Sequence, residues 1–278
     1  MTLVTTARPI GLSVSRSIRR SVCRCVGLTL IVILAGSSLL AQTTLTVAAA
    51  ADLGPALPEI AANFEKSSGT HIAAVYGSSG NLATQIENGA PYDVFLSADL
   101  GYPHRLESQG LVVLGSLTKY ASGKLVLWAP KTLGVDVRVL GMKALTAPEV
   151  RTIAIANPEH APYGKAAVAA LRWANLYDAL KSKLVLGENV AQAAQFVTSG
   201  NAQIGIIPLS LAMAPELARS GQRWELPPES YPPITQGAVV LRKSKNEKVA
   251  QDFVNYLKTK EAAAILRRYG FEVPEPQP

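Results

Sequence analysis

Apolar positions along the chain switch between two periods, and the switches mark out its elements. Leu45–Ala51 reads as a strand; Leu53, Leu57, Ile60, Ala61 and Phe64 then recur at helical spacing. His71–Tyr76 reads as a second strand, Leu82–Glu87 as a helix and Asp93–Ala98 as a third strand. This βαβαβ order predicts a parallel sheet covered by helices. Pro55 suits a first helical turn, but Pro58 removes a backbone donor, so the first helix is expected to be kinked or to start late.

A second unit follows Leu125–Ala129. Strands are predicted at Thr152–Ala156, Leu184–Leu186 and Ile204–Ile207, with helices over Lys165–Leu180 and Val190–Thr198 between them. Ala238–Leu241 reads as a strand and Glu247–Arg268 as one long helix with Phe253, Tyr256, Leu257, Ala264 and Leu266 inward. The Pro-rich stretch Leu226–Pro233 is expected to connect units, and the tail after Val273 to fray.

Charge changes the picture of possible partners. The chain of 278 residues carries a formal +7, yet Arg8, Arg16, Arg19, Arg20 and Arg24 all lie in residues 1–41, which hold no acid. The remaining 22 Lys and Arg face 20 Asp and Glu. A body so near neutral lacks the clustered basic face that nucleic acid requires. Residues 1–41 follow the order of a secretory signal: basic, then apolar from Val26 to Leu40, then small, with cleavage expected after Ala41. The strongly apolar part, Val26 to Ala35, is short for a membrane anchor, which needs roughly 20 residues. Cys23 and Cys25 precede that apolar core, so the mature chain would have no disulfide and no thiolate chemistry. It is expected to be a monomer in the periplasm.

Four loops end a strand and open a helix, the position where open α/β sheets bind ligands and where helix N-termini leave N–H groups free. In Ala49-Ala50-Ala51-Asp52-Leu53, small residues let main-chain amides approach a ligand, and Asp52 is expected to cap its own helix. Tyr76-Gly77-Ser78-Ser79-Gly80-Asn81 offers two hydroxyls between glycines. Asn157–Gly164 is stiffened by two prolines and presents Tyr163; its His160 beside Glu159 suggests a supporting pair more than a catalyst. Gly187–Ala191 would donate a backbone N–H, that of Val190. No Lys or Arg belongs to these loops, Lys165 being only adjacent. The chemistry they point to is a tetrahedral oxyanion held by neutral donors. About six such bonds, each worth roughly 1.5–3 kcal/mol, exceed the roughly 8 kcal/mol of micromolar binding. With no carboxylate aimed at the ligand, an oxyanion without a proton (molybdate, tungstate or sulfate) is preferred over hydrogen phosphate.

Val47–Leu53 (VAAAADL), Leu82–Asp99 (LATQIENGAPYDVFLSAD), Pro158–Gly164 (PEHAPYG) and Arg267–Phe271 (RRYGF) resemble the periplasmic molybdate-binding proteins of ABC importers, the ModA family. The likeness runs from Leu45 to Phe271. It implies a type II periplasmic-binding fold: two α/β lobes joined by crossover strands, with the ligand between them. Lobe I would be 42–124 plus 236–278 and lobe II 125–235. Molybdate or tungstate would be the ligand, with no further cofactor, delivered to a membrane permease driven by an ATPase. The site residues implied are Asp52 through its main-chain N–H, Ser79 through hydroxyl and amide, Tyr163, and Val190 through its amide. Pro208 stands where some members have a ligating tyrosine, so Tyr163 would replace that hydroxyl. Competing readings are a sulfate binder on the same fold and, more remotely, an exported hydrolase using Ser79 with a histidine. No Gly-x-Ser-x-Gly elbow supports the hydrolase.

Overall fold

A computed structural model of the chain describes residues 43–274, together with Thr2. The expected signal, with Cys23, Cys25 and Ala41, and the end of the tail lie outside the described residues.

In chain order, the first part holds β1 (Thr44–Ala50), α1 (Leu57–Ser68), β2 (His71–Gly77), α2 (Ser79–Glu87), β3 (Val94–Ser97), α3 (Gly101–Ser108) and β4 (Thr118–Gly123). The second holds β5 (Leu125–Pro130), α4 (Val137–Leu140), β6 (Ile153–Ala156), α5 (Pro162–Trp173), α6 (Tyr177–Leu180) and β7 (Leu184–Gly187). It continues through α7 (Val190–Thr198), β8 (Ile204–Pro208), α8 (Leu209–Ala212), α9 (Pro215–Ser220) and β9 (Gly221–Glu225). β10 (Ile234–Val240), α10 (Glu247–Tyr256) and α11 (Lys260–Arg268) close the chain.

Two five-stranded sheets result, in the orders β2-β1-β3-β10-β4 and β7-β6-β8-β5-β9. The parallel βαβαβ units expected from periodicity are present as β2-β1-β3 and β7-β6-β8. Each is extended by antiparallel strands, so both sheets are mixed. The chain crosses between sheets through Lys124 and again between β9 and β10. Strands β4 and β9 escaped the sequence reading because TKYASG and GQRWE carry few apolar residues. Both are edge strands, which need only one packed neighbour.

The mostly apolar sequence of β1 follows from burial on both faces. In β1, Leu45, Val47 and Ala49 pack with Leu57, Ile60 and Phe64 of α1 and Phe253 of α10. Ala48 turns the other way, toward Leu82 and Ile86 of α2. Phe64 meets Phe253 edge-on at 5.1 Å. Pro58 sits in the first turn of α1, which starts late, after a separate 3-10 turn at Ala51–Leu53.

Two predicted helices are broken. Lys165–Leu180 becomes α5 and α6 because Asn175 adopts a left-handed φ of 56°. Glu247–Arg268 becomes α10 and α11, since the Thr259 side chain caps a new start by accepting from Ala262 N. The restart shifts the register: Ala263 and Ile265 are buried and Ala264 is exposed, where continuous periodicity placed Ala264 inward.

Candidate functional site

The ends of β1, β2, β6 and β7 deliver four loops to one place. Ala50, Ala51, Asp52, Gly77, Ser78, Ser79, Ala98, Ala161, Pro162, Tyr163, Asn189 and Val190 line a single cavity of about 10 Å³, the room one water needs. Asp52, Ser79, Tyr163 and Val190 are thus brought together, and all four are buried. α2, α5 and α7 begin at this cavity. Their first-turn amides have no acceptor within their own helices, and their dipoles place partial positive charge there. No Lys or Arg lines it; Lys165 reaches Tyr102 instead, with Nζ 3.5 Å from the hydroxyl.

Each helix start is fixed locally. Ser78 caps α2 by accepting from Asn81 N, which puts Ser79 in the first turn. The Ser79 hydroxyl accepts a 2.9 Å hydrogen bond from Ala98 N. That bond orients Oγ and leaves its proton free to be donated. Asn189 caps α7 by accepting from Ala191 N and Gln192 N, leaving the Val190 amide uncommitted at the first position. The Gly80 amide donates to the His160 carbonyl at 2.8 Å, and a Cβ at Gly80 would sit 2.6 Å from that oxygen, so only glycine allows this approach.

Asp52 departs from expectation. It does not cap a helix: Ala50 occupies the cap position of the Ala51–Leu53 turn, with no side-chain bond. Instead Asp52 Oδ2 accepts from Tyr163 Oη at 2.9 Å and from Gln236 Nε2 at 2.5 Å. Among the described residues, no other residue donates to Asp52 Oδ1. Gln236 also donates to Tyr163 Oη at 3.3 Å and accepts from Tyr120 Oη at 2.8 Å. Burial pushes the Asp52 carboxyl up to about 6, against the lowering effect of the Gln236 and Tyr163 hydrogen bonds. Burial and the neighbouring Asp52 charge hold the Tyr163 and Tyr120 phenols well above their ordinary range, so both remain protonated donors.

Tyr163 therefore donates its one proton to Asp52 here. Pro208 closes β8 and pairs with Leu125, as its missing N–H allows. The hydroxyl contributed by that segment is Ser210, which donates to the Asp52 carbonyl at 2.7 Å.

His160 lies 2.9 Å from Ser78 Oγ and 3.7 Å from Glu188. It does not touch Ser79, so the nucleophile and base of a hydrolase are not assembled. Gln236, Tyr120 and Ser210 were missed from sequence. The only signal for Gln236 was a lone amide in an otherwise small and apolar strand.

A wider groove of about 890 Å³ runs along the β9 edge, lined by Lys131, Arg138 and Arg223 together with Asp136 and Glu225. It mixes both charges and lies away from the four loops. Among the described residues no group of three or more His, Cys, Asp or Glu could hold a metal ion, and no helix is long and apolar enough to cross a membrane.

Residues 45–272 match the family of bacterial extracellular solute-binding proteins. The molybdate-binding protein ModA of Azotobacter vinelandii is 41% identical over 248 residues, covering 88% of this chain and 97% of that protein. The chain belongs to the ModA family of solute-binding proteins. ModA of Rhodobacter capsulatus is 37% identical over 246 residues, covering 88% and 95%. The solved periplasmic molybdate-binding protein of A. vinelandii superposes with a TM-score of 0.78 at 35% identity, over 83% of this chain and all of that one. Membership makes this an extracytoplasmic binding protein rather than an enzyme, and the two lobes match the periplasmic-binding architecture.

Proposed function

We propose that this protein captures molybdate or tungstate between its lobes and delivers the anion to an ABC permease and its ATPase at the inner membrane. Lobe I would comprise 42–124 plus 236–278 and lobe II 125–235, with residues 1–41 removed as a signal after Ala41 and the mature protein acting as a monomer in the periplasm.

The observation that carries this reading is the convergence of three helix starts on one buried cavity with no cation in its wall. Ser79 would donate through its free hydroxyl proton and its amide. Val190 and Asp52 would donate main-chain N–H groups, and Tyr163 its phenol once released from Asp52. Such groups replace the water shell of a dianion, since hydrogen bonds to charge are the stronger kind. A cavity of water size has to widen for a tetrahedral anion, and the chain offers two crossovers, at Lys124 and between β9 and β10, about which the lobes can part.

Size would set selectivity. Sulfate is smaller and leaves some donors out of reach, and each buried donor left unmet costs roughly 1–3 kcal/mol. Calorimetry of the purified protein with molybdate, tungstate, sulfate and phosphate tests the assignment. Tight binding of the first two and weak binding of sulfate is the expected result; sulfate binding as tight as molybdate would overturn it.

A further inference from the structure

Asp52 is fully buried, lines the cavity and has one carboxylate oxygen, Oδ1, that no other described residue serves. Its side-chain partners, Tyr163 of α5 and Gln236 of β10, are uncharged. The titratable groups facing it are Tyr163 and Tyr120 of β4; α7 and α8, which pack against its turn, carry none. Among the described residues, therefore, no cation offsets the carboxylate. A dianion admitted to this cavity would meet a negative charge served only by neutral donors in a water-poor setting, where Coulomb repulsion is far stronger than in solvent.

We propose that capture of the oxyanion takes up one proton from solvent and that Asp52 holds it. The proposal rests on the molybdate and tungstate reading above. The proton leaves water or buffer and bonds to the carboxylate; no other bond is made or broken. The complex then gains one net negative charge instead of two. Carboxylate Oδ1 changes from a repelling acceptor into an O–H donor for an anion oxygen, while Oδ2 can still accept from Gln236. A neutral Asp52 also holds the Tyr163 proton less tightly, which frees that phenol to turn to the anion. Burial has already moved the Asp52 carboxyl most of the way toward neutrality, to about 6, so an incoming dianion has little further to push it. Asp52 thus supplies the carboxylate acceptor not expected from the sequence, and hydrogen phosphate would bring its own proton to the same oxygen and take up none from solvent.

The test is calorimetric titration of the purified protein with sodium molybdate at pH 7.5, in two phosphate-free buffers of different ionisation enthalpy. About one proton should be taken up per anion, and affinity should fall roughly tenfold per pH unit from pH 7 to 8.5. In Asp52→Asn the uptake should vanish and the affinity should no longer follow pH. Binding with no buffer dependence in the unaltered protein would overturn the proposal while leaving the molybdate assignment standing. Uptake that survives Asp52→Asn would overturn it too, since the proton would then be held elsewhere. Absence of any molybdate heat would overturn the assignment and this inference together.

Discussion

Tyr163 and Asp52, 111 residues apart in the chain, share a 2.9 Å hydrogen bond that ties the start of α5 to the turn after β1. It joins an element attached to the second sheet to one attached to the first, at the cavity itself. Removing the phenol in Tyr163→Phe takes away one of the bonds that hold the Asp52 carboxyl down, so that carboxyl should rise above its present value of about 6. Stability should fall by about 1.5–3 kcal/mol at neutral pH, the worth of one hydrogen bond to a charged acceptor, with Gln236 still donating to the same oxygen. Urea unfolding at pH 7.5 would show it; an unaltered midpoint would mean that the bond contributes nothing. Molybdate affinity should fall as well, with the circular dichroism spectrum retained.

Asp52 also makes stability depend on pH. Its carboxyl titrates near 6 in the folded protein and near 3.8 when unfolded, so the folded state holds the proton more tightly. The stability it confers is complete below about 3.8 and is lost as pH rises through about 6. The two values differ enough to be worth roughly 3 kcal/mol. Unfolding free energies of the unaltered protein and of Asp52→Asn, compared at pH 3.5 and 7.5, should shift by that amount in favour of the Asn variant at the higher pH. A gap between the two proteins that stays constant with pH would refute the assignment of the window to this residue.

Ser79 faces two tasks with one hydroxyl, accepting from Ala98 N and keeping a proton to give. Ser79→Ala should weaken molybdate binding at least tenfold in calorimetry. It should also expose the unpaired Ala98 amide as a modest loss of thermal stability. Affinity within a factor of two of the unaltered protein would remove Ser79 from the binding set.

Gly123, at the end of β4, lies so close to Tyr163 that a Cβ there would collide with the phenol oxygen. Gly123→Ala should displace Tyr163, uncouple it from Asp52 and weaken oxyanion binding. The conservative control is Gly69→Ala: that position leaves open space around a Cβ but has a left-handed φ of 70°, so it should cost stability without touching affinity. Equal affinity losses in both variants would make the Gly123 effect a general one.

Phe253 is fully buried against Phe64, and Phe253→Ala should cost about 3–5 kcal/mol, read as a lowered denaturant midpoint. A loss under 1 kcal/mol would show that α10 contributes little to the first sheet.

What the sequence made legible was governed by local periodicity. Leu45–Ala51 was legible as a strand from its mostly apolar residues, and the loops after β1, β2, β6 and β7 followed from strand-then-helix order. The breaks at Asn175 and Thr259 were hidden because a single left-handed residue or one capping hydroxyl leaves the apolar spacing almost intact. Four of the cavity's lining residues, Asp52, Ser79, Tyr163 and Val190, could be named, yet their hydrogen bonds could not. Asp52 was expected to serve its own helix, and its actual partners, Tyr163 and Gln236, arrive from 111 and 184 residues away. Separations of that size leave no trace in a window of ten or twenty residues.

The position of β10 between β3 and β4 has a consequence for assembly. A nascent chain emerges amino end first, so β3 and β4 wait with open edges until residues 234–240 are made. The second sheet draws its five strands from one continuous stretch and closes without waiting. Half of the molecule can therefore fold early, while the other half depends on a contact formed near the end of synthesis. A carboxyl-terminal truncation that removes β10 would strand the earlier half as an aggregation-prone edge and leave the later-encoded half intact.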